Sequence, residues 1–134
     1  MNNADLAGIP PGMAADALEI QFGTNYMGPA LFTKLLLPLL QETAKQPDSD
    51  VRIINLSSEI FKQAPKQGII FADLETPMQK TGSAAKYGQS KLGNYFFTKV
   101  CAQKYPTIKS VALHPGIVNT GILVGWCLFS LLRS

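Results

Sequence analysis

Tyr87 and Lys91 stand four residues apart in Tyr87-Gly-Gln-Ser-Lys91, a spacing that puts both side chains on one face of a helix. A phenol with an ordinary pKa of ~10 is a poor acid or base near neutrality. An ammonium beside it favours the phenolate and lowers that value toward the range in which proton transfer is efficient. The chemistry within reach is proton exchange with an alcohol or a carbonyl. The spacing alone is weak, because Tyr95 and Lys99 repeat it; the aromatics of that second pair are expected in the core. Ser57 and Ser58 close an apolar run and either hold a substrate oxygen or cap the turn that follows. Asn25 reads as a polar helix residue or as part of the same site. His114 is the only histidine and precedes Pro115, so it reads as structural and a Ser-His-Asp triad is unsupported.

These residues must be carried by a small number of elements. Ile9-Pro-Pro-Gly-Met13 is a rigid turn. Asp16 is expected to cap a long helix over 17–40, with Leu18, Phe22, Tyr26, Leu31 and Leu35 on its apolar side and a kink at Gly28-Pro29. Val51–Leu56 reads as a β-branched strand ending in Ser57-Ser58. Residues 59–82 read as loop around Pro65, Gly68, Pro77 and Gly82, with 69–71 a short buried piece. Ser83–Lys104 is expected as a second long helix, and 110–114 as a second strand closed by Pro115-Gly116. Helix, strand, loop, helix, strand is the alternation of an open parallel α/β sheet. In such sheets ligands bind beyond the carboxyl ends of the strands, where Ser57-Ser58 and Pro115-Gly116 fall.

Composition narrows the function classes. The chain has 134 residues, 46% hydrophobic and 16% charged, which describes one globular domain at most. Its net charge of +3 comes from scattered lysines without a basic stripe, so nucleic acid is not an expected partner. Two cysteines without a disulfide framework or metal-ligand spacing point to a reducing, cytoplasmic setting and to no metal site. The segment 121–132 (G-I-L-V-G-W-C-L-F-S-L-L) is almost wholly apolar but shorter than the ~20 residues a membrane span needs. It reads as a buried helix, a lip over an apolar substrate pocket, or a membrane-surface contact.

Five motifs occur in order: Asn2-Asn3-Ala4; Asn25 within Phe-Gly-Thr-Asn-Tyr; Ile53-Ile-Asn-Leu-Ser-Ser58; Tyr87-x-x-x-Lys91; and His114-Pro-Gly-Ile-Val-Asn-Thr120. Together they resemble the middle and later part of a short-chain dehydrogenase/reductase, nearest the retinol dehydrogenases and WW-domain-containing oxidoreductases. The resemblance covers about 2–120. It implies a partial Rossmann-type, doubly wound parallel sheet: a single incomplete domain over 1–134 holding the catalytic half, with 121–134 as an apolar tail. It implies an NAD(P)-dependent alcohol/carbonyl oxidoreductase, with NADP favoured over NAD and an apolar small-molecule substrate. Tyr87 is then the acid/base and a cofactor contact, and Lys91 its activator and ribose ligand. Ser58, with Ser57 as the alternative, holds the substrate oxygen, and Asn25 positions a water. Asn3, Val118 and Thr120 contact the cofactor, and Asn3 also ties adjacent strands. Homo-oligomer formation through the two long helices is a further expectation, as is a non-catalytic chain acting through protein or membrane contacts. Two departures stand out: no glycine-rich dinucleotide turn is present, and Asp5 follows Asn2-Asn3-Ala4 where the family usually has glycine.

Overall fold

The computed structural model describes residues 1–116. Its elements are α1 (Ile20–Phe22), a π turn (Gly23–Met27), α2 (Gly28–Ala44), β1 (Arg52–Leu56), α3 (Ser83–Lys104) and β2 (Lys109–Leu113), with two short 3-10 turns at Glu59–Gln63 and Phe71–Asp73. β1 and β2 pair in parallel, in a register running from Arg52 opposite Lys109 to Leu56 opposite Leu113. α3 is therefore the crossover between them, as the α/β reading expects. The amino-terminal segment adds a third, minimal pairing: the Asn2 N–H donates to the Ile54 carbonyl at 2.8 Å, and the Leu56 N–H donates to the Asn2 carbonyl at 3.2 Å. β1 is thus flanked on both sides.

The strands alternate strictly. Ile53 and Asn55 of β1 are buried, whereas Ile54 and Leu56 are only half-buried. Ile53, Cys101 and Ile108 form one core cluster, into which α2 sends Leu37 and Leu40 and α3 sends Phe97. A second cluster of Phe22, Leu74 and Met78 lies under Leu18, Tyr26, Ile69 and Ile70. On the opposite sheet face Val111 and Leu113 remain exposed. Parallel sheets normally bury both faces; among the described residues, helices cover one.

Several expectations need correction. The first helix starts at Ile20, not Ala17, because Ala17 adopts φ 59°, a left-handed conformation that an α-helix cannot include. Its cap is Glu19, whose side chain accepts from the Phe22 N–H at 2.8 Å, and not Asp16. The irregularity expected at Gly28-Pro29 lies one turn earlier, as the π turn. Pro29 has no N–H to give the Asn25 carbonyl, so the ladder opens there. The freed carbonyl accepts from Asn94 Nδ2 at 2.9 Å instead. Leu31, Leu35, Tyr95 and Phe96 were expected to be buried and stand exposed, as does Phe71 in its short loop segment; α2 and α3 turn those faces away from the sheet. The second helix occupies the expected Ser83–Lys104.

Candidate active site

Tyr87 and Lys91 lie on the first half of α3, both in the interior: Lys91 is 1% exposed and Tyr87 9%. The ammonium sits 5.3 Å from the centre of the Tyr87 ring, so the i, i+4 spacing does bring the two together. Lys91 Nζ donates to the Leu56 carbonyl at 3.1 Å, at the carboxyl end of β1. The Ser57 hydroxyl returns the link, donating to the Lys91 carbonyl at 2.9 Å. α3 is therefore bolted to the end of the strand at the turn that bears Lys91.

Both reactive groups converge on one carboxylate. Tyr87 Oη donates to Asp5 Oδ2 at 2.8 Å, and Lys91 Nζ pairs with Asp5 Oδ1 at 3.0 Å. Asp5 is held in place by its neighbours. The Leu6 N–H donates to Asn25 Oδ1 at 2.7 Å, and Asn25 Nδ2 donates to the Leu6 carbonyl at 2.8 Å and to Ser90 Oγ at 3.1 Å. Asn25 thus orients the residue beside Asp5 with its side chain, while its carbonyl is occupied by Asn94. Asn94 Nδ2 also donates to the Leu56 carbonyl at 3.0 Å.

The electrostatics differ from the sequence expectation. Burial first, and the Asp5 carboxylate second, push the Tyr87 phenol well above its ordinary value. Lys91 does not lower it as expected, because the ammonium is matched by Asp5 rather than by a phenolate. Burial pulls Lys91 below the ordinary lysine value, opposed by the Asp5 charge. In this arrangement Tyr87 is a hydrogen-bond donor in its neutral form.

Ser58 caps the 3-10 turn, its hydroxyl accepting weakly from the Ile60 N–H at 3.4 Å. Ser57 is buried with its hydroxyl bonded to α3, which separates the two serines. Gly88 permits this turn to approach α3: a Cβ there would lie 2.6 Å from the Ile60 carbonyl oxygen, closer than any side chain allows. Asn3 is exposed, and the strand-tying role expected of it belongs to Asn2, whose Nδ2 also bonds Thr33 and Asn55 at 2.9 and 2.6 Å. Val118, Thr120 and the apolar segment lie outside the described residues. Sequence reasoning missed Ser90 and Asn94 as partners of Asn25; their signal was the polar stripe Tyr87, Ser90, Lys91, Asn94, Thr98, which follows helical period. In the sequence Asp5 stands out only as a departure from the glycine of the resembled family.

A buried ammonium and phenol side by side suit a ribose hydroxyl and a reacting oxygen. That seat, however, holds the Asp5 carboxylate, so the residues as placed do not fit a nicotinamide ribose.

Tyr87 and Lys91 thus meet at the carboxyl end of a parallel strand. The chain is similar to short-chain dehydrogenases/reductases along nine tenths of its length. It is 41% identical over 123 residues to an uncharacterized oxidoreductase of Schizosaccharomyces pombe, covering 90% of this chain and 36% of that protein. It is 40% identical over 127 residues to the short-chain dehydrogenase/reductase pkfC of Emericella nidulans, covering 90% and 40%. With the chloroplastic short-chain dehydrogenase TIC 32 A of Brassica napus it shares 34% over 128 residues, covering 91% and 39%. The chain therefore spans about two fifths of the length of the curated relatives it matches. No family model matches it.

Proposed function

We propose that this chain carries the proton-handling part of an NAD(P)-dependent oxidoreductase that interconverts an alcohol and a carbonyl, with NADP favoured and an apolar substrate of the kind the retinol-dehydrogenase-like branch takes. The observation that carries the reading is the convergence of Tyr87 Oη and Lys91 Nζ on one buried seat at the end of β1, at 2.8 and 3.0 Å from its occupant. With a substrate oxygen in that seat, Tyr87 gives its proton to the oxygen of a carbonyl undergoing reduction, or takes one from an alcohol undergoing oxidation. The Lys91 ammonium then stabilises the phenolate left on Tyr87. Ser58, with only its weak capping bond, is free to donate to the same oxygen. Asn25 keeps the strand end, α3 and a proton path from Lys91 in register, and Asn3, Val118 and Thr120 are assigned to cofactor contact.

The test is a chimera in which this chain, carrying Asp5→Gly to open the seat, replaces the matching stretch of the fission-yeast relative. Tyr87→Phe in that protein is expected to lower kcat by ~10²–10⁴-fold, the range of a lost general acid or base. Turnover unchanged by Tyr87→Phe overturns the reading.

A second reading has its own observation. Leu31, Phe32, Leu35 and Leu39 on α2, with Tyr95, Phe96 and Val100 on α3, are all exposed, and they favour pairing with a second copy of the chain. A cytoplasmic setting and a membrane-surface contact through 121–132 belong to the same proposal; among the described residues no helix is long and apolar enough to cross a membrane.

A further inference from the structure

We propose that Asp5 is an internal ligand of the Tyr87–Lys91 pair: an autoinhibitory carboxylate lodged where a substrate oxygen would bind, in a seat whose own preference is for small carboxylates. This rests on reading Tyr87 and Lys91 as the proton-handling pair.

The geometry is that of a bound ligand. One oxygen of the carboxylate accepts from the phenol at 2.8 Å, and the other lies in ion-pair contact with the ammonium at 3.0 Å. Its backbone is fixed on either side. Three residues earlier, Asn2 is hydrogen-bonded into the edge of β1; one residue later, Leu6 is gripped through both its N–H and its carbonyl by Asn25. Ala7 and Gly8 are buried beyond that. Asp5 is thus delivered to the seat by the fold.

The charge balance explains why the seat takes a carboxylate. Lys91 is almost wholly enclosed, its other polar contact is the neutral Leu56 carbonyl, and Asp5 is its one ion-pair partner among the described residues. An enclosed ammonium without a counter-charge is costly, and an alcohol or ketone brings no charge. A carboxylate supplies it and accepts from the phenol as well. The same contact disarms the site: the Tyr87 proton is committed to Asp5, and the adjacent negative charge opposes formation of the phenolate that proton transfer requires. A neutral substrate must displace a charged, covalently tethered competitor.

The test uses the whole chain and needs no turnover. Asp5→Gly removes the carboxymethyl group and leaves room for an exogenous acetate. Thermal midpoints are measured in acetate, formate and chloride at matched ionic strength. The variant is expected to melt below the parent in chloride and to recover saturably in acetate or formate, while the parent responds alike to all three salts. An Asp5→Gly chain that melts like the parent, or that gains nothing from carboxylates over chloride, overturns the proposal. Should Asp5→Gly fail to fold, Asp5→Asn keeps the shape without the charge. Its Tyr87 phenol, followed by carbon-13 tyrosine NMR and assigned by loss of the signal in Tyr87→Phe, is expected to begin ionising at lower pH than in the parent. An unchanged ionisation also overturns it. Turnover in the chimera judges the acid/base reading separately, so carboxylate rescue without a Tyr87 requirement would leave the seat and remove only the catalysis.

Discussion

The two halves of α3 bury opposite chemistry. From Lys86 to Asn94 the helix hides lysines, a tyrosine, amides and a serine almost completely; from Tyr95 onward it leaves Tyr95, Phe96 and Val100 substantially exposed while burying Thr98 and Cys101. A helix that spends its best-enclosed positions on polar groups is not built for stability alone, since each such group must find a partner to offset its lost hydration. Ser57, Asn25, Asn94 and Asp5 supply those partners at the site. The outer half shows the reverse: apolar side chains that stand exposed among the described residues. One half is an enclosed polar centre, and the other is an exposed apolar surface.

The sharpest break of this comparison is Lys91→Met. It removes the cation between Asp5 and the Leu56 carbonyl and leaves Asp5, with only 15% of its side chain exposed, beside an apolar group. Breaking one partner of a buried pair costs about 3–5 kcal/mol, which a urea titration of the chain measures against wild type. Restoring most of that loss with Asp5→Asn in the Lys91→Met background is expected if the two charges mainly answer each other. A loss as large in the double variant as in the single one would show that Lys91 contributes through its packing.

A smaller effect follows from pH. Tyr87 holds its proton in the folded chain above its ordinary value. Above the ordinary tyrosine pKa of ~10, the unfolded chain releases that proton while the folded chain keeps it, so unfolding gains and stability falls as pH rises. The contribution is complete below that pH and is lost through the folded value. Lys91 runs the other way, because burial lowers its pKa and stability gained from it rises with pH. Comparing wild type with Tyr87→Phe cancels Lys91 to first order. The advantage of wild type should be flat up to pH ~9 and shrink above ~10; an advantage that holds or grows at higher pH would contradict the raised phenol.

How much of this was legible in the sequence depends on which half of α3 is considered. The span Ser83–Lys104 and the two parallel strands were readable because glycine, proline and β-branched residues mark their ends and interiors. The Tyr87–Lys91 meeting followed from helical period alone. The face that each helix buries was not readable from hydrophobic pattern, since α3 turns a polar stripe inward. The hydrophobic pattern therefore places Leu31, Leu35, Tyr95 and Phe96 in a core they do not join. The role of Asp5 was beyond reach for another reason. Its contacts are 82 residues away at Tyr87, and they depend on the chain from Asn2 to Leu6 being pinned by β1 and by Asn25, a non-local fact that no window of sequence contains. The π turn lay between these cases: Pro29 announced a break, but only Asn94, arriving from α3, shows where the freed carbonyl goes.

The smallest expected effect on stability tests the outer half. Leu35 is 70% exposed and Phe96 48%, so neither contributes much to the folding of a single chain, and exposed positions of this kind change stability by less than about 0.5 kcal/mol. Between α2 and α3 on the outer side runs a groove of ≈ 390 Å³ that includes Tyr26, Leu31, Lys34, Phe97, Val100 and Tyr105, continuous in character with the exposed residues around it. Leu35→Ser with Phe96→Ser is expected to leave the urea midpoint nearly unchanged and to shift sedimentation velocity profiles of the chain from associated species toward monomer. A parent chain that is already monomeric at high concentration would remove the pairing role from this face. A double variant that unfolds readily would instead place those side chains in the folding core, and would break the contrast between the two halves of α3 at its weaker end.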